Sequence, residues 1–325
     1  MQGFARMRRY RSQPWIRSLM QDVVLQPHDL IAPIFIHDQD HDQLIDAMPF
    51  AKRYGMKGLK NYCSELIDAG IKAIALFPTV DQKHKTLDCK AAYDPNGLVP
   101  HAIKLLKDNF PDLVIIADVA LDPYNPLGQD GVINEGVIDN DLTLQLLQKQ
   151  ALCYAQAGAD IIAPSDMMDG RIFAIRSALD QRNFINTLLL SYCVKFASSL
   201  YGPFRHAVDS SRFLGQADKK TYQMDAQSLF QTGLECASDE KEGADLLMVK
   251  PGLHYLDVIT RLHTQTNLPI WSYHVSGECV MLDLAAKNGM APFNTLLLEA
   301  LIAQRRAGAL KILTYFALDG AKLLH

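Results

Sequence analysis

The chain has 325 residues, 49% of them hydrophobic and 21% charged, a composition that excludes a disordered, collagen-like or repeat-tail protein and leaves ample material for a buried core. Thirty-two lysines and arginines stand against 36 acids, for a net charge of −4. No cationic surplus is present to release counterions from nucleic acid, so a small-molecule partner is the better expectation.

In chain order, residues 1–29 come first as an arm. Its first 21 residues carry Arg6, Arg8, Arg9, Arg11 and Arg17 with no acid before Asp22, which superficially suits an organelle transit peptide. Pro14 interrupts any amphipathic helix there, and Tyr10, Trp15, Ile16 and Leu19 are residues that pack on something. The preferred reading is an arm reaching onto a neighbouring subunit.

From residue 30 onward, short β-branched apolar runs recur with helical stretches between them, at residues 30–36, 71–78, 113–121, 159–165, 187–193, 244–249, 269–275 and 311–316. Between the third and fourth runs lies a helix over 141–158, capped by Asn140 or Asp141 and ended by Gly158. Continuous apolar strands alternating with helices mean a parallel sheet buried on both faces. Eight such units favour an α/β fold of the closed (β/α)8 TIM barrel class over a doubly wound sheet, with residues 30–325 as a single catalytic domain and the extended N-terminal arm for subunit contacts. A short candidate strand at 221–225 is left outside the barrel. Two connections are long or rich in turn residues: 122–131 after the third strand and 201–220 after the fifth. Both follow strand carboxyl ends, where barrels place their active sites.

No apolar run reaches the ~18 residues that cross a bilayer, so no membrane partner is expected. The cysteines at 63, 89, 153, 193, 236 and 279 fall in no tight ligand spacing; they read as reduced thiols in a cytoplasmic protein.

The chemistry concentrates at two strand ends. In Gly243-Ala-Asp-Leu-Leu-Met-Val-Lys250-Pro251-Gly252 a buried strand ends in a lysine followed at once by a turn. Desolvation there disfavours the ammonium and lowers its pKa, and a neutral amine can attack a carbonyl to form a Schiff base. The run Leu188-Leu-Leu-Ser-Tyr-Cys-Val194 delivers Lys195 in the same way, on what would be a neighbouring strand. Two lysines facing one pocket repel as cations, so each helps keep an amine free. A lone lysine at a strand end would ordinarily snorkel to solvent; the pair is more informative than either member. Asp118, Asp122 and Asp130 gather at the third strand exit. They suit Mg²⁺ or another oxygen-preferring ion, or act as general bases, or simply form turns. Arg205, Lys219 and Gln223 on the long fifth loop, and Tyr273, Ser276 and Tyr315 at later strand ends, would be ordinary loop and core residues without a wider context.

That context comes from longer motifs. Ser191-Tyr-Cys-Val-Lys-Phe-Ala-Ser-Ser-Leu-Tyr-Gly-Pro-Phe-Arg205, Tyr222-Gln-Met-Asp225, Asp245-Leu-Leu-Met-Val-Lys-Pro-Gly-Leu-His-Tyr255, Val275-Ser-Gly-Glu278, Ala163-Pro-Ser-Asp-Met-Met-Asp-Gly-Arg171 and Ile312-Leu-Thr-Tyr-Phe316 closely resemble the delta-aminolevulinic acid dehydratase (porphobilinogen synthase) family, over about residues 8 to 320. The resemblance implies a barrel with an N-terminal arm, assembled as a homo-octamer, a lyase that condenses two 5-aminolevulinate molecules into porphobilinogen for heme and other tetrapyrroles. It implies Schiff bases on Lys195, for the acetyl-side substrate, and on Lys250, for the propionyl-side one. Asp118, Asp122 or a neighbouring bound water become candidates for proton removal. Arg205, Lys219 and Gln223 match the positions that hold one carboxylate, and Ser276 and Tyr315 those that hold the other. Ala120, Asp122 and Asp130 stand where zinc-dependent members carry cysteines, which implies the aspartate-rich branch without catalytic zinc. Glu235 matches an allosteric Mg²⁺ ligand. The chain departs from the family at Asn125-Pro-Leu127, Cys193-Val194, Ala226-Gln-Ser228 and Cys279. The rivals are an aldolase-like Schiff-base lyase with one essential lysine, and a catalytically impaired homologue.

Overall fold

The computed structural model describes residues 5–208 and 218–324. Eight strands pair in parallel: β1 (Leu30–Ile36), β2 (Ala73–Pro78), β3 (Val114–Val119), β4 (Ile161–Pro164), β5 (Leu188–Lys195), β6 (Leu246–Lys250), β7 (Ile270–His274) and β8 (Lys311–Thr314). β8 returns to β1 through Leu30↔Ile312 and Ile31↔Leu313, closing the barrel. The strands are buried almost throughout because helices cover their outer faces, which is why they read as continuous apolar runs rather than alternating ones.

An antiparallel hairpin, Gln43–Ile45 with Met48–Tyr54, adds to β1. A second, Val132–Asn134 with Val137–Asp139, fills the loop after β3. The helix Asn140–Ala157 begins one residue earlier than the sequence pattern indicates. Asp139, not Asn140 or Asp141, is its N-cap, accepting from the Leu142 amide at 3.0 Å. Gly158 ends it in the left-handed region at φ 107°, a conformation that favours glycine. The 221–225 segment forms no strand; it makes one bridge, Phe196↔Met224, at the barrel rim.

Ahead of β1, Met7–Arg11 and Pro14–Leu19 form short helical turns with no buried residue. The chain meets the barrel through the Arg305 Nε bond to the Val24 carbonyl at 3.1 Å and the Lys311 bond to Asp29 at 2.8 Å. Part of the long connection after β5, residues 209–217, lies outside the described residues.

Candidate active site

An irregularity in strand pairing places the two lysines. Leu247 pairs with Ser191, yet Val249 pairs with Val194 and Lys250 with Lys195, so β5 takes three steps where β6 takes two. Such a bulge re-aims the residues beyond it. Before it, Ser191 points outward to hydrogen-bond Asp239, and Tyr192 points inward with its ring 5.3 Å from Lys250 Nζ. Strict alternation would then turn Lys195 outward, three residues after Tyr192. The bulge turns it inward, beside Lys250, and both lysines are only 6% exposed. Neither snorkels.

The two amines have different neighbours. Lys250 Nζ lies among the rings of Tyr273 (4.6 Å), Phe204 (5.1 Å), Tyr201 (5.2 Å) and Tyr192. Ring faces attract a cation, but burial outweighs them and, with Lys195 alongside, lowers the Lys250 pKa from 10.5 to about 7. Lys195 Nζ donates to the Ser165 carbonyl and stands 3.8 Å from Asp130. One lysine therefore sits in an aromatic box and the other in a polar one.

The acids divide likewise. Lys219 bridges Asp122 at 3.2 Å and Asp130 at 3.1 Å, so an ammonium occupies the space between two carboxylates that could otherwise attract a metal ion. Burial raises the Asp122 pKa. Burial acts the same way on Asp130, but Lys195 and Lys219 together hold that carboxyl below its usual range. Asp118 has a buried oxygen, Oδ1, without a hydrogen-bond partner, and burial lifts its pKa to about 7 against the pull of Lys250 and Lys195. It is the acid placed to exchange a proton near neutral pH. Among the described residues, no three His, Cys, Asp or Glu side chains are grouped to hold a metal ion.

The remaining predicted residues fall around these halves. Tyr273 and Tyr315 share a hydroxyl hydrogen bond of 2.9 Å on the Lys250 side. The Ser276 hydroxyl donates to the Leu200 carbonyl and accepts from the Phe204 amide. Gln223 is buried with its Oε1 unpaired, one turn from Lys219. Arg205, half-buried, lies in the short helix Gly202–Ala207. Glu235 lies apart, on the helix Phe230–Glu242, 3.3 Å from the buried Arg171 guanidinium. Burial, with Asp239 and Asp169 nearby, raises the Glu235 pKa against the pull of Arg171; its carboxylate is an oxygen donor of the kind Mg²⁺ takes, but it is already paired with that guanidinium.

The aromatic box is not legible in the sequence. Tyr192, Tyr201 and Phe204 all lie within the 191–205 motif, but only the bulge and the rim helix show that they converge on Lys250. A cavity of about 670 Å³ at the opposite end of the barrel, beside Ile31, Val114 and Trp271, contains neither lysine and lies away from the strand carboxyl ends where barrel chemistry occurs.

Residues 4–323 match the family model of delta-aminolevulinic acid dehydratase. The chain is 48% identical to the chloroplastic delta-aminolevulinic acid dehydratase of Physcomitrium patens, over 98% of this chain and 74% of that one. It is likewise 48% identical to the chloroplastic protein of Oryza sativa subsp. japonica, over 98% and 75%. The crystal structure of the Toxoplasma gondii ME49 protein, in complex with its reaction product porphobilinogen, superposes with a TM-score of 0.97 at 47% identity, covering 99% of this chain and 92% of that one. The expectation of a cytoplasmic protein is corrected by these relatives: the plant proteins are chloroplastic. Reduced thiols suit both compartments, so cysteine usage has no power to separate them.

Proposed function

The chain belongs to the delta-aminolevulinic acid dehydratase family, and from that premise we propose how its own residues carry the reaction. It is a lyase of heme and porphyrin biosynthesis that makes porphobilinogen from 5-aminolevulinate with loss of water. The observation that carries our reading is the register pairing of Lys195 with Lys250, both buried at the carboxyl ends of adjacent strands.

Each amine adds to the ketone of one substrate and expels water, leaving an iminium that withdraws electrons from the neighbouring carbon. Loss of a proton from that carbon turns one adduct into an enamine nucleophile, while the other remains the electrophile. Holding both ketones on neighbouring strands makes the carbon–carbon and carbon–nitrogen bond formations local rather than bimolecular. Lys250 holds the propionyl-side substrate, with Ser276, Tyr315 and Tyr273 for its carboxylate. Lys195 holds the acetyl-side substrate, with Arg205, Lys219 and Gln223 as its clamp. For Lys219 to serve there, substrate must draw it from the Asp122–Asp130 bridge. Asp118 takes and returns protons between the two halves, and Asp122 and Asp130 keep the acetyl-side amine and Lys219 in place.

The positions Ala120, Asp122 and Asp130 support the zinc-independent, aspartate-rich branch. Oxygen and ammonium groups meet there, and zinc prefers thiolate and imidazole. Mg²⁺ would sit at Glu235 and act from outside the lysine pocket; when bound, it supplies a fixed positive charge beside Arg171. The arm exposes Tyr10, Trp15 and Leu19 at 55%, 67% and 70%, apolar surface that supports subunit contacts in a homo-octamer.

The test is to incubate with 5-aminolevulinate, reduce with borohydride and map the peptides. Adducts at both Lys195 and Lys250 are expected, with loss of porphobilinogen formation in K195M and in K250M. An adduct at one lysine alone would support an aldolase-like lyase instead. The same assay retains activity under a zinc-selective chelator; inhibition reversed only by zinc would sink the branch assignment.

A further inference from the structure

Glu278 takes no part in the reaction outlined above, yet its carboxyl side chain is fully buried. A buried carboxylate persists only where donors converge on it, and here they come from two chain segments. Its Oε2 accepts from the Val275 amide at 2.9 Å, capping the helix Ser276–Lys287. Its Oε1 accepts from the His254 amide at 2.8 Å and meets the His254 ring Nδ1 at 2.9 Å.

Both segments wall in Lys250. His254 lies in the turn Leu253–Tyr255, which follows Pro251 and Gly252 after β6 ends at Lys250. That turn is pressed against β7, where Gly252 donates to the Tyr273 carbonyl at 2.7 Å. The helix capped by Glu278 carries Ser276, whose hydroxyl holds the Leu200 carbonyl and the Phe204 amide. A Cβ on Gly277 would come within 2.5 Å of that carbonyl, so helix and rim segment lie in direct contact. The same rim segment supplies the rings of Tyr201 and Phe204 to the box around Lys250, and the Tyr201 hydroxyl donates to the Lys250 carbonyl at 3.0 Å.

We infer that Glu278 is a positioning residue: through His254 and the first turn of the Ser276–Lys287 helix, it holds the Lys250 turn and the aromatic box in one arrangement, and so sets imine formation at Lys250 rather than at Lys195. The inference rests on the two-lysine reading. Lys195 is held less directly: its amine contacts Ser165 and Asp130, and the Glu278-bound turn reaches it only through its neighbour Phe196, whose ring stacks on Tyr255 at 4.2 Å.

The experiment is borohydride trapping with 5-aminolevulinate in wild type, E278Q and H254A, quantifying adduct at each lysine alongside kcat and KM. In E278Q the new amide keeps an accepting oxygen but turns a donor toward a site crowded with donors. E278Q is expected to lower kcat about 10- to 100-fold and the Lys250 share of adduct with it, leaving Lys195 adduct near the wild-type amount. H254A, which removes a partly exposed ring and keeps the backbone bond, shows the same redistribution more weakly and decides the matter if E278Q does not fold. Equal adduct ratios in wild type and variants overturn the inference while the two-lysine reading stands. Absence of Lys250 adduct in wild type overturns the reading itself. A parallel fall at both lysines assigns Glu278 to general stability and also overturns the inference.

Discussion

Lys250 and Asp118 each have a pKa of about 7, reached from opposite directions by the same desolvation. The amine is nucleophilic only when neutral, and the carboxyl is a base only when ionised, so either group would make kcat/KM rise with pH near 7. One substitution separates them. Asp118 favours the charged form of Lys250, so D118N removes that support and lowers the amine pKa further. If Lys250 governs the profile, the rising limb moves to lower pH in D118N; if Asp118 governs it, the limb disappears. A pH–rate profile of both proteins, spanning the neutral range on either side of that pKa, checks this. The lysines were legible in the sequence as apolar runs ending in an amine. Their difference was not, because it lies in Tyr192, Phe204 and Tyr273 on one side and Asp130 and Ser165 on the other, contributed from separated parts of the chain.

Between elements, Arg171 is the main tie. It opens the helix Arg171–Gln181 with its side chain 1% exposed. From there it reaches Asp239 on the helix Phe230–Glu242 at 3.0 Å, Ser191 Oγ on β5 at 3.2 Å and the Tyr192 carbonyl at 3.4 Å. Those β5 contacts fall at the bulge that turns Lys195 inward. Removing one partner of a buried ion pair leaves an uncompensated charge and costs about 3–5 kcal/mol. R171M is therefore expected to lose stability on that scale in urea denaturation, and R171M/D239N to recover part of it. Equal midpoints for R171M and wild type would show the tie to be dispensable. The helices and strands themselves were readable from periodicity and caps, to within a residue for 140–157. The bulge was not, since Ser191-Tyr-Cys-Val194 has no glycine to mark it.

At the scale of the whole molecule, the arm is the open element. Its two short turns bury none of their own residues, although its root is fixed by Arg305 and Lys311. Deleting residues 1–20 leaves that root intact. It is expected to reduce the sedimentation coefficient from that of a large assembly while preserving the far-UV circular dichroism of the barrel; an unchanged sedimentation profile would remove the arm from assembly. What the sequence determined by itself is local and repetitive. Eight buried runs separated by helical patterns admit few closures, and hydrophobic burial makes that pattern visible one segment at a time. It also carried the motifs by which the chain resembles its family. The tertiary structure alone decided which way the side chains point at the barrel mouth. A one-residue bulge brings two lysines face to face, Lys219 stands between two acids, and one carboxylate fastens the turn after Lys250 to the helix that begins at Ser276. These are contacts between residues distant in the chain, set by strand register and by the high cost of leaving a buried charge unpaired.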